Sequence, residues 1–131
     1  MGLFERFRQP PEVESSPGTD SRLVTRLRDE DDWDALLNDS KTETVLVFKH
    51  STVCSISSHA LTEFLQFADR HQSTRVGLVH VVEDRGLSRL IAKNAGIAHE
   101  SPQLIAIKNK CPIWHGSHWG IDLGELERFV S

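Results

Sequence analysis

The sequence is short of sulfur. Its 131 residues hold two cysteines, one methionine and no tyrosine. Two cysteines cannot build a disulfide framework or an all-cysteine zinc site, and such usage implies a reducing, cytoplasmic compartment. Apolar runs are short too. None approaches the roughly 20 residues of a membrane-spanning helix, and the opening MGLFERFRQPPE lacks the continuous apolar stretch of a signal peptide. Met1-Gly2 begins like a myristoylation signal, but Arg6 stands where serine or threonine is needed. Positive charge is not in excess: a formal net charge of −4 argues against nucleic acid or an anionic membrane as the main partner. Seven histidines invite a metal, yet no cysteine or acid lies at regular ligand spacing beside His115 and His118, so no metal site is expected. There is no internal repeat and no low-complexity tract.

What remains is an ordinary globular composition, 38% apolar and 26% charged, at a length that suits one domain with a single core. Residues 1–20 read as a flexible N-terminal tail, because Pro10, Pro11 and Pro17 alternate with Ser15, Ser16 and Gly18. Leu3, Phe4 and Phe7 could form one apolar helical turn, so a docking peptide is the alternative there. Residues 21–131 then make the folded domain. Leu23 to Leu27 reads as a short edge strand. Acids crowd Asp29 to Asp32 ahead of Trp33, Leu36 and Leu37, which marks a helix that ends at residues 38–40. Val45 to Phe48 is unbroken apolar chain, as in a strand buried on both faces.

From Ser55 to about Arg70, Ile56, Ala60, Leu61, Phe64, Leu65 and Ala68 recur at helical spacing. Arg75 to Val82 is a second buried strand, and a strand, helix and strand of these lengths predict a right-handed parallel crossover. Leu87, Leu90, Ile91 and Ala95 give another helix, closed by Gly96 as a left-handed cap. Ser101-Pro102 stands before a third strand, Gln103 to Lys108; Asn109-Lys110 turns the chain and Pro112 to His115 returns. Asp122 caps a last helix with Glu125 three residues on and Leu123, Leu126, Phe129 and Val130 as its apolar face. The order is a leading helix and then β-α-β-α-β-β-α. It predicts an α/β fold, a central mixed β-sheet flanked by helices on both faces.

The chemistry gathers at VLVFKHSTVCSIS, residues 45–57. A strand there delivers Cys54 to the mouth of a helix, where unpaired N–H groups and the positive end of the helix dipole favour thiolate over thiol. The plainer reading is a buried structural thiol. The polar approach through His50, Ser51 and Thr52 favours the reactive one. Cys54-Ser55-Ile56-Ser57 is CxxS rather than CxxC, so Ser57 stands where a dithiol site keeps its resolving cysteine. A mixed disulfide at Cys54 must then be resolved by an external thiol or a distant cysteine. Ser57 also reads as a first-turn residue whose hydroxyl bonds locally. Cys111 reads as a hairpin residue with a packing role, at the end of the strands away from Cys54. His80, inside a strand, reads as a core histidine.

This arrangement resembles the thioredoxin fold over roughly residues 22–131, through Cys54 after the first central strand, Ser101-Pro102 before the third, and the closing hairpin and capped helix. That resemblance implies a cis-proline at Pro102, which sets an exposed backbone edge beside Cys54 for a substrate chain. FKHSTVCSIS at residues 48–57 and HESPQLIAIKNKCPIWHGSHWGI at residues 99–121 are similar, more narrowly, to the monothiol bacilliredoxins, the YtxJ-like redox proteins of the bacillithiol system. Val53 and Ser55 depart from the basic residue and the proline often found there, and Cys111 lies outside the pattern.

The resemblance implies a thiol-disulfide oxidoreductase that removes bacillithiol from S-bacillithiolated proteins through a mixed disulfide at Cys54. Bacillithiol is then a thiol co-substrate, with no tightly bound cofactor, and a reductase is a possible further partner. His50 and Thr52 would support the thiolate and its substrate. Ser101 and Pro102 would offer the pairing edge. His118 and Trp119 would hold the sugar and acid parts of bacillithiol, although Trp119 could equally pack against the last helix. Two other readings stay open: a non-catalytic thioredoxin-like protein-binding module, and, more weakly, a glutaredoxin-like iron–sulfur carrier.

Overall fold

Six consecutive buried residues set the centre of the sheet. The computed structural model describes residues 24–130; the expected tail at residues 1–20 lies outside the described residues, as does Leu23. Strand β2 (Val45–His50) is buried at every position. It pairs in parallel with β3 (Arg75–His80), which pairs in parallel with the short edge strand β1 (Val24–Arg26). On its other side β2 pairs antiparallel with β4 (Gln103–Lys108), and β4 with β5 (Cys111–Ser117). The five-stranded mixed sheet therefore runs β1-β3-β2-β4-β5.

Alternation along β2 divides its side chains between two helical layers. Leu46 and Phe48 join Phe64, Phe67 and Ala68 of α2 (Ser55–Arg70) and Leu126 of α4 (Leu123–Val130). Val45 and Val47 join Trp33 and Leu36 of α1 (Glu30–Asp39) and Leu87 and Ile91 of α3 (Arg85–Ala95). The single core expected from chain length is thus two, one on each face. A sheet buried on both faces cannot have fewer. Hydrogen bonds fix the layers: Trp33 Nε1 donates to Asn94 Oδ1 at 2.9 Å, joining α1 to α3, and Trp114 Nε1 donates to Glu125 Oε1 at 3.0 Å, joining β5 to α4.

The punctuation read from the sequence is in place. Asp29 Oδ1 accepts from Asp32 N–H at 3.0 Å, and Asp122 Oδ1 accepts from Glu125 N–H at 3.1 Å. Gly96 closes α3 at φ 70°. Asn109 and Lys110 both take positive φ, 54° and 63°, as a two-residue hairpin demands. Lysine is poorly suited to that conformation. Ser40 at the end of α1 compensates, its carbonyl accepting from Asn109 N–H (2.7 Å) and its hydroxyl from Lys110 N–H (2.9 Å).

Strand boundaries differ from expectation. β1 stops at Arg26, one residue short of Leu27. β2 continues through Lys49 and His50, β3 stops at His80, and β5 runs the full length of its partner. The β4–β5 ladder shifts register by one residue at Ala106/Ile107, where Ala106 faces Trp114 but Ile107 faces Pro112.

Candidate functional site

The register of the sheet decides what can meet. Lys49 of β2 faces Gln103 of β4, and Gln103 faces Ser117 of β5. The end of β2, the start of β4 and the end of β5 therefore lie side by side. The loop with His50, Thr52 and Cys54 leaves from that end, Ser101 and Pro102 enter it, and His118 and Trp119 follow it. All the residues singled out for chemistry at these positions collect at one rim. Cys111 pairs with Lys108 at the opposite rim. A six-residue strand spans about 20 Å, whereas a disulfide needs Cα atoms within about 7 Å. Both cysteines are free thiols.

Cys54 is the N-cap of α2, extended at φ −118° and ψ 123°, and half-buried. The first helical bond runs from Ser58 N–H to its carbonyl at 3.0 Å. The amides of Ser55, Ile56 and Ser57 precede that bond and face the sulfur's end of the helix. The first turn carries no acid, so no carboxylate competes with a thiolate for the positive pole. Thr52 and Val53, just before it, are exposed, Val53 to 82%.

Ser57 is completely buried and its hydroxyl is fully engaged. Its oxygen accepts from Ser51 N–H at 2.9 Å and lies 2.7 Å from His50 Nδ1. The hydroxyl, with one proton and two lone pairs, bonds both groups at once. Burial, and then neighbouring His80, hold the His50 pKa below its ordinary value. His80 is half-buried rather than a core residue, and stands edge-on to His50 at 5.8 Å between ring centroids. Ser57 and His50 thus brace the turn that carries Cys54.

The second wall begins at Ser101-Pro102, whose peptide bond is cis. Pro102 is buried, and its carbonyl accepts from His118 N–H at 3.0 Å. Glu100 accepts the Ser117 hydroxyl and lies 3.7 Å from His118 Nδ1. The Ser101 hydroxyl is buried, with no partner among the described residues. Residues 118–120 form one tight helical turn close over β5: a Cβ at Gly116 would meet the Gly120 carbonyl oxygen at 2.6 Å. That turn leaves Trp119 75% exposed, 6.3 Å between ring centroids from His59 on α2. The indole therefore lies by the helix that Cys54 opens, not packed into the terminal helix.

Sequence reasoning missed the other side of the sheet. Lys49, completely buried, shares the face of Val45 and Val47. Its Nζ donates to the Ser88 carbonyl of α3 at 3.0 Å and to His99 Nδ1 at 3.2 Å; Ser88 Oγ lies 3.1 Å from the same nitrogen. Burial lowers the Lys49 pKa to about 8, and burial followed by Lys49 lowers that of His99. The signal was available: Lys49 continues the period-two pattern of Val45 and Val47, so it had to point inward. Among the described residues no three His, Cys, Asp or Glu side chains form a group that could hold a metal, and no helix is long and apolar enough to cross a membrane.

Solved structures share this architecture. An inferred oxidoreductase with a thioredoxin fold matches at a TM-score of 0.74 and 28% identity, over 83% of this chain and 95% of its own. The reduced thioredoxin pre-protein of Schistosoma mansoni matches at 0.64 and 20%, over 82% and 94%. Thioredoxin of Fasciola hepatica matches at 0.61 and 17%, over 82% and 93%. The fold is thioredoxin-like. Residues 25–126 match the family described as monothiol bacilliredoxin BrxC. With its half-buried free thiol at a helix mouth and a match over residues 25–126, the chain belongs to the monothiol bacilliredoxin family.

Proposed function

We propose that this protein is a monothiol thiol-disulfide oxidoreductase that removes bacillithiol from S-bacillithiolated proteins. One observation carries the reading: Cys54 is a half-exposed free thiol at the start of a 16-residue helix, and its only fellow cysteine stands at the far rim of the sheet. Such a thiol exchanges but cannot resolve itself.

Cys54 thiolate attacks the bacillithiol sulfur of the protein–bacillithiol disulfide. A Cys54–bacillithiol bond forms, the original bond breaks, and the client cysteine leaves as thiolate and takes a proton from water. A second bacillithiol thiolate then attacks the bacillithiol sulfur held on Cys54. Cys54 thiolate is released, with bacillithiol disulfide as the oxidised product. Another redox protein could serve in place of that second thiol. Bacillithiol is a co-substrate throughout, and no tightly bound cofactor is invoked. The Pro102 edge with Ser101 would align the client chain, Thr52 and His50 would shape the approach, and His118 with exposed Trp119 would hold the sugar and acid parts of bacillithiol. A reducing cytoplasm suits this cycle.

The test is intact mass spectrometry of a bacillithiolated client mixed with wild type or Cys54→Ser. The client should lose its adduct, and wild type alone should gain one bacillithiol mass. Equal adduct loss with both proteins would sink the reading and leave a protein-binding module on the same fold.

A further inference from the structure

The fold holds a buried ammonium that the exchange chemistry does not use. Among the described residues no carboxylate pairs with Lys49. Its partners are a helix carbonyl and a histidine, and burying a charge on those terms costs the fold stability. An apolar side chain of similar length would fill the same space without that penalty. What the ammonium does provide is a connection. His99 opens the run 99–102 that leads into Pro102, and residues 98–102 carry no helix or strand of their own.

We propose that Lys49 is a positioning residue: through His99 it ties the segment 98–102 to the centre of the sheet and so fixes the Pro102 edge opposite Cys54. The placing follows from three observations. Lys49 Nζ reaches His99 Nδ1 while anchored on the Ser88 carbonyl, so α3, β2 and the segment share one node. Gln103, directly across the sheet from Lys49, donates its Nε2–H to the Ala98 carbonyl at 3.1 Å, a second tie to the same segment from the same face. Downstream, Pro102 accepts from His118 N–H, so the segment in turn carries the turn with Trp119. A donating ammonium leaves His99 Nδ1 as acceptor, with the ring proton on Nε2. Around this node, Glu100 and Arg89 are the other charged groups that act on His99.

The functional half of this inference rests on the exchange reading given above; the structural half does not. The experiment therefore has two readouts, on full-length wild type, Lys49→Met, His99→Ala and the double variant. The first is amide hydrogen exchange at His118, whose N–H donates to Pro102. It should quicken about tenfold or more in either single variant, the equivalent of one lost charge-assisted hydrogen bond, while Leu27 N–H, bonded to the Leu78 carbonyl at 2.8 Å, keeps its protection. The second is the single-turnover rate on a bacillithiolated protein set against the alkylation rate of Cys54 by iodoacetamide. The protein reaction should slow by a similar factor, and alkylation, which needs no edge, should not.

The double variant should be no worse than the poorer single one, because both break one tether. Unchanged His118 protection in both single variants overturns the proposal. So does full activity on protein disulfides despite loss of protection, and so do effects that multiply in the double variant. A wild type inert toward the bacillithiolated protein defeats the exchange reading instead, and the His118 amide then decides the tether by itself.

Discussion

Replacing Lys49 by methionine should stabilise the protein as a whole, and the gain should shrink as pH rises. The Lys49 pKa falls from its ordinary 10.5 to about 8 because burial disfavours the ammonium. Between those values the unfolded chain binds more protons than the native one, so native stability rises with pH across that window. Below pH 8 the burial cost is present in full; toward 10.5 it is relieved. At 1.36 kcal/mol per pH unit the whole effect is about 3 kcal/mol, most of it reached by pH 10. Methionine carries no charge and should show none of it. Urea unfolding of both proteins at pH 7 and pH 10 measures the difference. Wild type should gain about 2–3 kcal/mol on the variant between the two. The absence of tyrosine helps, since no phenol titrates in that range. Parallel stabilities at pH 7 and 10 would refute the buried ammonium. Together with slower exchange on protein disulfides, a more stable variant would mark Lys49 as a group kept for geometry at the expense of stability.

Other substitutions separate the parts of the site. Ser57→Ala strands Ser51 N–H and His50 Nδ1 in the interior and should cost about 1–3 kcal/mol by urea unfolding. A cost near zero would mean that the brace is idle. Ser101→Ala removes a buried hydroxyl with no partner, so stability should hold or rise by up to about 1 kcal/mol; if substrate supplies the missing partner, the KM for a bacillithiolated client should rise in the same variant. Gly116→Ala drives a methyl against the Gly120 carbonyl and should displace the Trp119 turn, visible as a shifted indole emission and a slower protein reaction. Lowering the pH below about 6.5 should weaken the fold, because His50, His80 and His99 all resist protonation in the native state while the unfolded chain accepts protons freely. A melting temperature that stays constant from pH 7 to 5 would contradict this.

Most of the architecture was legible because its signals are local. The stripe from Ile56 to Ala68 set α2, the acids at Asp29 to Asp32 and Asp122 set two helix starts, and Gly96 set a helix end. The rim that gathers Cys54 and Ser101-Pro102 followed from a strand, a lone cysteine and a helix read together with the resemblance to the thioredoxin fold. Long-range pairing was what escaped. The single core became two because chain length says nothing of how a sheet divides apolar mass. Ser57 was rightly suspected of bonding locally, but its partners, His50 at the end of β2 and the Ser51 amide that follows, lie one turn of chain away from α2. Trp119 stayed ambiguous between ligand and packing roles, because the close pass of Gly120 over Gly116 that leaves it exposed is a contact of backbone with backbone. Lys49 was hidden for a different reason. Beside four apolar residues a lysine looks like the polar end of a strand, and only its partners on α3 and the run before Pro102 explain why it stays inside.

The opposite placement of the two sulfurs has a practical bearing on how the protein can be handled. A tether, dye or surface linkage attached at exposed Cys111 leaves the reactive mouth facing outward into solution. Two copies joined at Cys111 by a thioether cross-linker, which thiols do not cleave, would carry a Cys54 mouth at each end of the pair.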